Sequence, residues 1–302
     1  MQEILTKALS YIAIVVLGYI LKKRGFFGDN AFSVISNIVI KITLPAAIVA
    51  GSAGKAVNPS MLTITALGFG GSVLYILAAA LIHRKMDKEK RAFAILNTPG
   101  YNIGTFSMPF TQSFLGSTGV ITTSLFDVGN AFVCLGGAYG VAAAVKAGEG
   151  FNFKRIVKTL SHSVPFLTHL MVVCLNLLGW TLPGPVVSFA KIIGDGNAFM
   201  AMLMIGVGFQ LSGEKEQFGD IFRILSIRYG IATVLALVYY FILPFDLEVR
   251  QTLVILAYSP IGSAVPGFVA ELKGDVGLSS AINSISIVCS IVITVILLVV
   301  LL

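Results

Sequence analysis

NTPGYNIGTFSMP (residues 97–109) lies in the middle of a long apolar run, and SPIGSAVPG (residues 259–267) lies in the middle of another. Each stretch holds two prolines with glycines and small polar residues between them. Proline removes a backbone N–H donor and clashes with the preceding helical turn, so a helix cannot continue through either stretch. Interrupted backbone at membrane depth is tolerated only where it is buried in protein or lines a cavity. The sequence therefore predicts two broken helices that line one cavity.

The rest of the chain has the composition of a membrane protein. Of its 302 residues, 56% are hydrophobic and only 12% are charged, whereas soluble domains carry about 25% charged residues. The net charge of +7 lies in short clusters between apolar runs, which is typical of membrane topology and argues against nucleic-acid binding. The three cysteines lie in apolar runs without paired spacing, so the sequence indicates no disulfide framework, metal site or cofactor.

The apolar runs predict an all-α polytopic membrane protein with ten transmembrane helices, since about 20 apolar residues cross the hydrocarbon core. The expected spans cover roughly residues 4–22, 31–52, 60–82, 91–114, 119–144, 160–180, 186–211, 220–243, 249–271 and 277–302. The two proline-rich stretches fall in the fourth and ninth of these spans.

The distribution of positive charge predicts the orientation. One set of alternate connections carries fourteen lysines and arginines, whereas the other set, with the N-terminal end, carries only Lys7, Lys55 and Arg250. Lys215 is one of the fourteen. Because cytoplasmic loops carry the excess of positive charge, we expect both termini on the non-cytoplasmic side of a bacterial plasma membrane. The connection 146–159 is then cytoplasmic, and its mixture of aromatic and basic residues is typical of a short interfacial helix.

Ten spans around a central connection divide into two halves of five, residues 1–145 and 160–302. An odd number of spans per half makes the second half enter the membrane from the opposite side, which is the inverted-repeat topology of many secondary transporters. The fourth and ninth spans are then equivalent, and both carry the interruption. Interrupted helices expose backbone N–H groups that attract anions. The predicted substrate site consists of these amides with Asn102, Gly104, Ser107, Pro109, Ser259, Pro260, Ser263 and Pro266.

Four polar residues inside predicted spans are candidates for coupling or charge compensation, because charged groups within a membrane are costly and usually functional. Lys41 and Asp195 lie near mid-depth and occupy equivalent positions in the two halves of the repeat. We expect them to approach one another or to flank the substrate, although Lys41 could extend to the interface and Asp195 could cap a turn. Asp127 and Asn130, one helical turn apart, could orient the crossover by hydrogen bonding or carry a proton.

The remaining ionisable groups suggest no catalysis. Arg228 is expected to extend to the cytoplasmic surface, and His83, His162 and His169 lie near span ends without evident carboxylate or cysteine partners. An enzyme is therefore not favoured. The two interrupted stretches contain no Asp or Glu, so proton coupling or uniport is favoured over sodium coupling.

Several motifs resemble the auxin efflux carrier family, whose bacterial members include proteins described as permeases for malate and other carboxylates. The resemblance rests on Gly18-Tyr19, Leu44-Pro45, the Asn102–Pro109 stretch, Leu125–Asn130, Gly194-Asp195 and residues 270–281. Ser107 replaces a glycine of the family pattern, and Phe199 stands where the family often has proline. The resemblance implies a crossed-helix transport domain, a scaffold of the first, second, sixth and seventh spans, and a homodimer.

The function that these features favour is a secondary transporter or uniporter of a small organic anion, such as malate or an auxin-like acid. The alternatives are an anion channel and a membrane-embedded sensor.

Overall fold

The computed structural model describes residues 2–54, 58–147, 151–210 and 217–302. Lys55 and Lys215, two of the charges used for orientation, lie outside the described residues. Within the described ranges the regular elements are all helices, which confirms the predicted all-α class. The helices are α1 (Gln2–Lys23), α2 (Ala31–Ile38), α3 (Leu44–Ser52), α4 (Thr63–Ile82), α5 (Lys88–Asn97), α6 (Met108–Phe132), α7 (Ala138–Ala147), α8 (Phe153–Ser161), α9 (Val164–Leu177), α10 (Gly184–Gly194), α11 (Asn197–Gly208), α12 (Phe218–Phe241), α13 (Leu247–Ala257), α14 (Val265–Glu271) and α15 (Val276–Leu301).

Seven helical segments in the described part of the chain are long and apolar enough to cross a membrane, or eight if the bent pair α8–α9 forms one span. The seven are Gln2–Lys23, Ala31–Ser52, Ser60–Ile82, Ile103–Ala147, Gly184–Gly208, Phe218–Phe241 and Val276–Leu301. The helices on either side of the interruptions, α5, α13 and α14, have 10, 11 and 7 residues. Each is too short to cross the hydrocarbon alone, because a span needs about 20 residues.

The first interruption separates α5 from α6. Helix α5 begins after Asp87, whose carboxylate accepts a hydrogen bond from the backbone N–H of Lys90 at 2.8 Å, a side-chain N-cap. The chain leaves the helix before Pro99 and turns at Gly100, which has a φ of 78° that side chains disfavour. A wide helical turn, Ile103–Ser107, then leads into α6.

The second interruption separates α13 from α14. Helix α13 ends at Ala257, two residues before Ser259, and helical structure returns at Val265 with Pro266 in its first turn. Proline is accepted there because the first N–H groups of a helix have no partner within it.

Close contacts between glycines and neighbouring backbones hold the long helices together. A Cβ at Gly68 of α4 would lie 2.1 Å from the carbonyl oxygen of Phe126, and one at Gly129 of α6 would lie 1.9 Å from that of Thr65. Helix α1 contacts α11 in the same way, through Gly206. Small residues that let helices approach closely are typical of membrane proteins. The buried core of the helix bundle lies around α6.

Candidate functional site

The two interruptions meet. The backbone N–H of Asn102 in the first donates a hydrogen bond to the carbonyl oxygen of Pro260 in the second, at 2.9 Å. The hydroxyl groups of Ser107 and Ser259 lie 2.5 Å apart, and both serines are fully buried. The residues that sequence reasoning selected in separate halves of the chain therefore form one contact.

Arg228 of α12 binds the carbonyl groups at the ends of both broken helices. Its guanidinium donates to the oxygens of Thr98 at 2.6 Å and Gly100 at 2.8 Å, just after α5, and to that of Ser259 at 2.6 Å, just after α13. The C-terminal ends of helices carry partial negative charge, so one cation stabilises both.

The interpretation of Arg228 as a residue that reaches the membrane surface is wrong. The side chain is 1% exposed. The guanidinium finds enough acceptors only at the interruption, where carbonyl groups released from both helices converge.

Side-chain amides on α6 and α15 hold the backbone of the two interruptions. Asn130 accepts a hydrogen bond from the Tyr101 N–H and donates one to the Tyr101 carbonyl, both at 3.0 Å. On α15, Asn283 donates to the Gly262 carbonyl at 3.1 Å, and the Ser286 hydroxyl accepts from the Ile261 N–H at 3.2 Å. The irregular backbone is thus satisfied by protein groups, as burial requires.

A cavity of about 180 Å³ opens beside the crossover. Five of the sequence-predicted residues line it, namely Asn102, Gly104, Asp127, Asn130 and Ser263. Cys134 is also in its wall, between the two interruptions, since a Cβ at Gly262 would lie 2.7 Å from the cysteine sulfur. This volume and the polar side chains fit a small polar ligand.

The other predicted site residues lie outside the cavity lining. Ser107 and Ser259 are buried against each other beneath the crossover. Pro260 contributes its carbonyl oxygen to Asn102. Pro109 and Pro266 lie in the first turns of α6 and α14, so their role in this structure is to set where the helices begin.

Lys41 and Asp195 have different surroundings. Asp195 pairs with Lys191, one turn earlier, at 2.9 Å. Lys41 is exposed and lies between Ile40 and Leu44, which both line the cavity. A neighbouring pair does form at equivalent positions of the proposed repeat, because the Thr43 hydroxyl donates to the Asn197 side-chain oxygen at 3.0 Å.

Asp127 has a partner that sequence reasoning missed. One of its carboxylate oxygens accepts a hydrogen bond from Asn130 at 2.8 Å, and the other lies 3.3 Å from Nε2 of His169 on α9. The expectation that the histidines lack carboxylate partners is therefore wrong for His169. Its position in the sequence gave no signal, because α6 and α9 meet only in the folded chain.

A larger cavity, of about 280 Å³, lies away from the crossover. Its wall includes Lys90, Glu89, Asp220 and Asp275, which are exposed charged residues near helix ends. Its size alone does not make it the candidate site, because it contains none of the interrupted backbone. The crossover cavity combines unusual backbone, buried polar groups and a carboxylate, and is the better candidate.

Comparison with known proteins gives a consistent result. The family described as "Membrane transport protein" matches residues 3–298. An "Uncharacterized transporter" of Methanothermobacter thermautotrophicus is 26% identical over 297 residues, covering 94% of each chain. An uncharacterised transporter of Methanocaldococcus jannaschii is 23% identical over 226 residues, covering 71% of each chain.

Proposed function

Because the chain belongs to the membrane transport protein family, the auxin efflux carrier family that its motifs resemble, we propose that it is a secondary transporter or uniporter of a small organic anion. The transported anion binds in the crossover cavity, which opens to the two sides of the membrane in turn. The observation that carries this proposal is the meeting of both interrupted helices at one small polar cavity.

The helices are consistent with ten spans in two inverted halves. The halves are residues 1–145 and 160–302, and residues 146–159 join them. The helical segment Ile103–Ala147 has 45 residues, too many for one span, and its backbone breaks at Gly116, where φ is 54°. Division there, with α5 completing the fourth span, α9 with the end of α8 forming the sixth and α13–α14 the ninth, gives ten. The paired contacts of Asn130 with one interruption and Asn283 with the other support the repeat.

In this arrangement the chain crosses a plasma membrane with both termini on the non-cytoplasmic side. Ser163, Pro165 and Phe166 line the cavity and directly follow the central connection, which the positive-inside rule places in the cytoplasm. In the proposed orientation, the cavity faces the cytoplasm. Alternating access requires a second conformation in which the same cavity faces the opposite side.

A carboxylate such as malate is the class of anion that we propose. The helical turn Ile103–Ser107 begins in the cavity wall, and the N-terminal end of a helix favours negative charge. Lys41, next to two cavity-lining residues, can add positive charge at the cavity edge. Asn102, Asn130 and Ser263 supply hydrogen-bonding groups for hydroxyl or carboxylate oxygens.

The test is counterflow of labelled L-malate into proteoliposomes, with unlabelled carboxylates as competitors. We expect accumulation that competitors abolish. In Asn102→Ala accumulation should fall about tenfold, since one hydrogen bond to a charged group is worth about 1.5–3 kcal/mol. Asn37→Ala is the matched control, because Asn37 is exposed and its amide donates to the nearby Ser33 carbonyl.

Two results would contradict the proposal. Ionic currents too large for a conformational cycle would indicate an anion channel. Folded protein that exchanges no carboxylate but changes conformation when one is added would indicate a membrane-embedded sensor.

A further inference from the structure

We infer that Asp127 and His169 form a proton-binding pair whose protonation neutralises the cavity and so couples the anion to a proton. This inference rests on the proposed function and names its coupling ion. The pair joins two helices that are separate in sequence, since Asp127 is on α6 and His169 on α9.

The geometry distinguishes this pair from a structural contact. The His169 side chain is fully buried and that of Asp127 is 15% exposed. The carboxylate belongs to the cavity wall, so water can reach it. Neither ring nitrogen of His169 has a hydrogen-bond partner among the described residues, although Nε2 lies 3.3 Å from the carboxylate. A buried imidazole without hydrogen bonds is unusual, because buried polar groups are normally paired.

The other charged groups near the pair are exposed or have partners of their own. On α8, Lys154 and Lys158 are exposed and Arg155 pairs with Glu271, while His162 in the following turn is exposed.

The remaining helices around the pair add few charges. Lys41 is exposed, helix α3 carries no titratable side chain, and α4 contributes the buried Tyr75. Helix α13, which packs on α6, carries Glu248 and Arg250 in its first turn. Arg250 donates to the Tyr240 carbonyl. Asp127 is thus the charged group in contact with the imidazole.

Protonation changes the charge that the cavity presents. A proton from solution adds to the ring nitrogen that carries the lone pair in the neutral imidazole, no bond breaks, and the resulting cation lies beside the carboxylate, with Nε2 3.3 Å from it. The net charge of the pair then changes from −1 to 0. An anion near an unneutralised carboxylate is repelled strongly where water is scarce. Proton binding therefore favours anion binding, and by linkage the anion favours the proton.

The same pair connects proton occupancy to the crossover backbone. Asp127 bonds to Asn130, and Asn130 holds both backbone groups of Tyr101. Acidic conditions should therefore favour the neutral pair and anion entry. Alkaline conditions should leave the carboxylate charge facing the cavity.

The test measures the charge of the cavity without using any substrate. In full-length protein with Cys174→Ser and Cys289→Ser, Cys134 in the cavity wall is the remaining cysteine. Its reaction rates are measured with an anionic and a cationic methanethiosulfonate reagent, carrying a sulfonate and a trimethylammonium group. Both reagents react with the thiolate of Cys134, so the ratio of their rates does not depend on how far the thiol is ionised. The ratio reports the local electrostatic potential.

We expect the ratio of the anionic to the cationic rate to rise about tenfold from pH 8 to pH 5.5. The ratio should stay constant in Asp127→Asn and His169→Gln, and His162→Gln, at an exposed histidine, should behave like the parent. A constant ratio in the parent, or an unchanged rise in both variants, would overturn the inference.

If L-malate is exchanged but the ratio is constant, the pair fails and the proposed function stands. If the ratio changes but no carboxylate is exchanged, the pair stands and the proposed function fails.

Discussion

At the scale of single residues, the site depends on side chains that satisfy backbone groups released by the interruptions. Arg228 donates hydrogen bonds to three carbonyl groups, and Asn130 bonds to both backbone groups of Tyr101. Leaving such groups unpaired in the interior costs far more than the net gain from forming a bond. These residues are therefore positioning residues for the cavity, and their effects should extend to stability as well as transport.

Replacement of Arg228 by Met should destabilise the protein and abolish transport. Three buried carbonyl groups would lose their donor, at a cost of at least about 3 kcal/mol, and the partial negative charges of α5 and α13 would be left uncompensated. Thermal unfolding in detergent, followed by circular dichroism, measures the loss. Arg223→Met is the control, because Arg223 is exposed on the same helix. Equal melting temperatures for the two variants would contradict the role of Arg228.

Replacement of Lys41 by Met should weaken anion binding without preventing folding. The side chain is exposed beside Ile40 and Leu44 of the cavity wall, so it can attract an anion while it makes little contribution to packing. We expect the half-saturation concentration for malate exchange to rise about tenfold, equivalent to about 1.4 kcal/mol. Lys85→Met, which removes an exposed charge outside the spans, should leave it unchanged. Unaltered affinity in Lys41→Met would exclude Lys41 from the site.

At the scale of helices, glycine contacts determine how closely α4 packs against α6. A Cβ at Gly68 would meet the Phe126 carbonyl at 2.1 Å, whereas a Cβ at Gly70, on the same helix, would have no neighbour within 4 Å. Of these two glycines, Gly68 alone lies at a close contact between helices.

The pair Gly68→Ala and Gly70→Ala tests this packing directly. Gly68→Ala should separate α4 from α6 and lower the melting temperature by several degrees, since backbone cannot yield as a flexible side chain can. Gly70→Ala should be neutral or stabilising by up to about 1 kcal/mol, because alanine favours helix. Thermal unfolding of both variants decides the matter, and equal effects would show that the α4–α6 contact is not tight.

The interruptions of the helices could be predicted from sequence, whereas their surroundings could not. Pro99, Pro109, Pro260 and Pro266 act locally, through a missing N–H and a steric clash, so one sequence suffices to place the breaks. The partners of the interruptions come from distant helices. Arg228 is ten residues after the start of α12, about 15 Å along it. That depth indicated that the side chain could be buried. The acceptors that hold it there come from distant parts of the chain and become known only from the fold.

At the scale of the whole molecule, one surface has the wrong chemistry for contact with lipid. Lys191 and Asp195 form an ion pair whose side chains are 66% and 59% exposed. They lie about 10 Å and 16 Å along the span that begins at Gly184, near the middle of a hydrocarbon core about 30 Å thick. Around them Phe189 and Ile192 are 67% and 78% exposed. An ion pair facing lipid at this depth is costly, which supports the homodimer implied by the family resemblance.

A dimer of two such surfaces gives a prediction that a single substitution can test. In a symmetric dimer, a residue near the two-fold axis faces its own copy. Ile192→Cys, in protein whose native cysteines are replaced by serine, should therefore form a disulfide-linked dimer in the membrane under mild oxidation. Phe222→Cys, equally exposed at 75% on α12, should stay monomeric because α12 lies with the helices that hold the crossover. Cross-linking of both variants to the same extent would indicate random collision. Cross-linking of Phe222→Cys alone would place the interface on the transport side, where it would hinder the movement that alternating access requires.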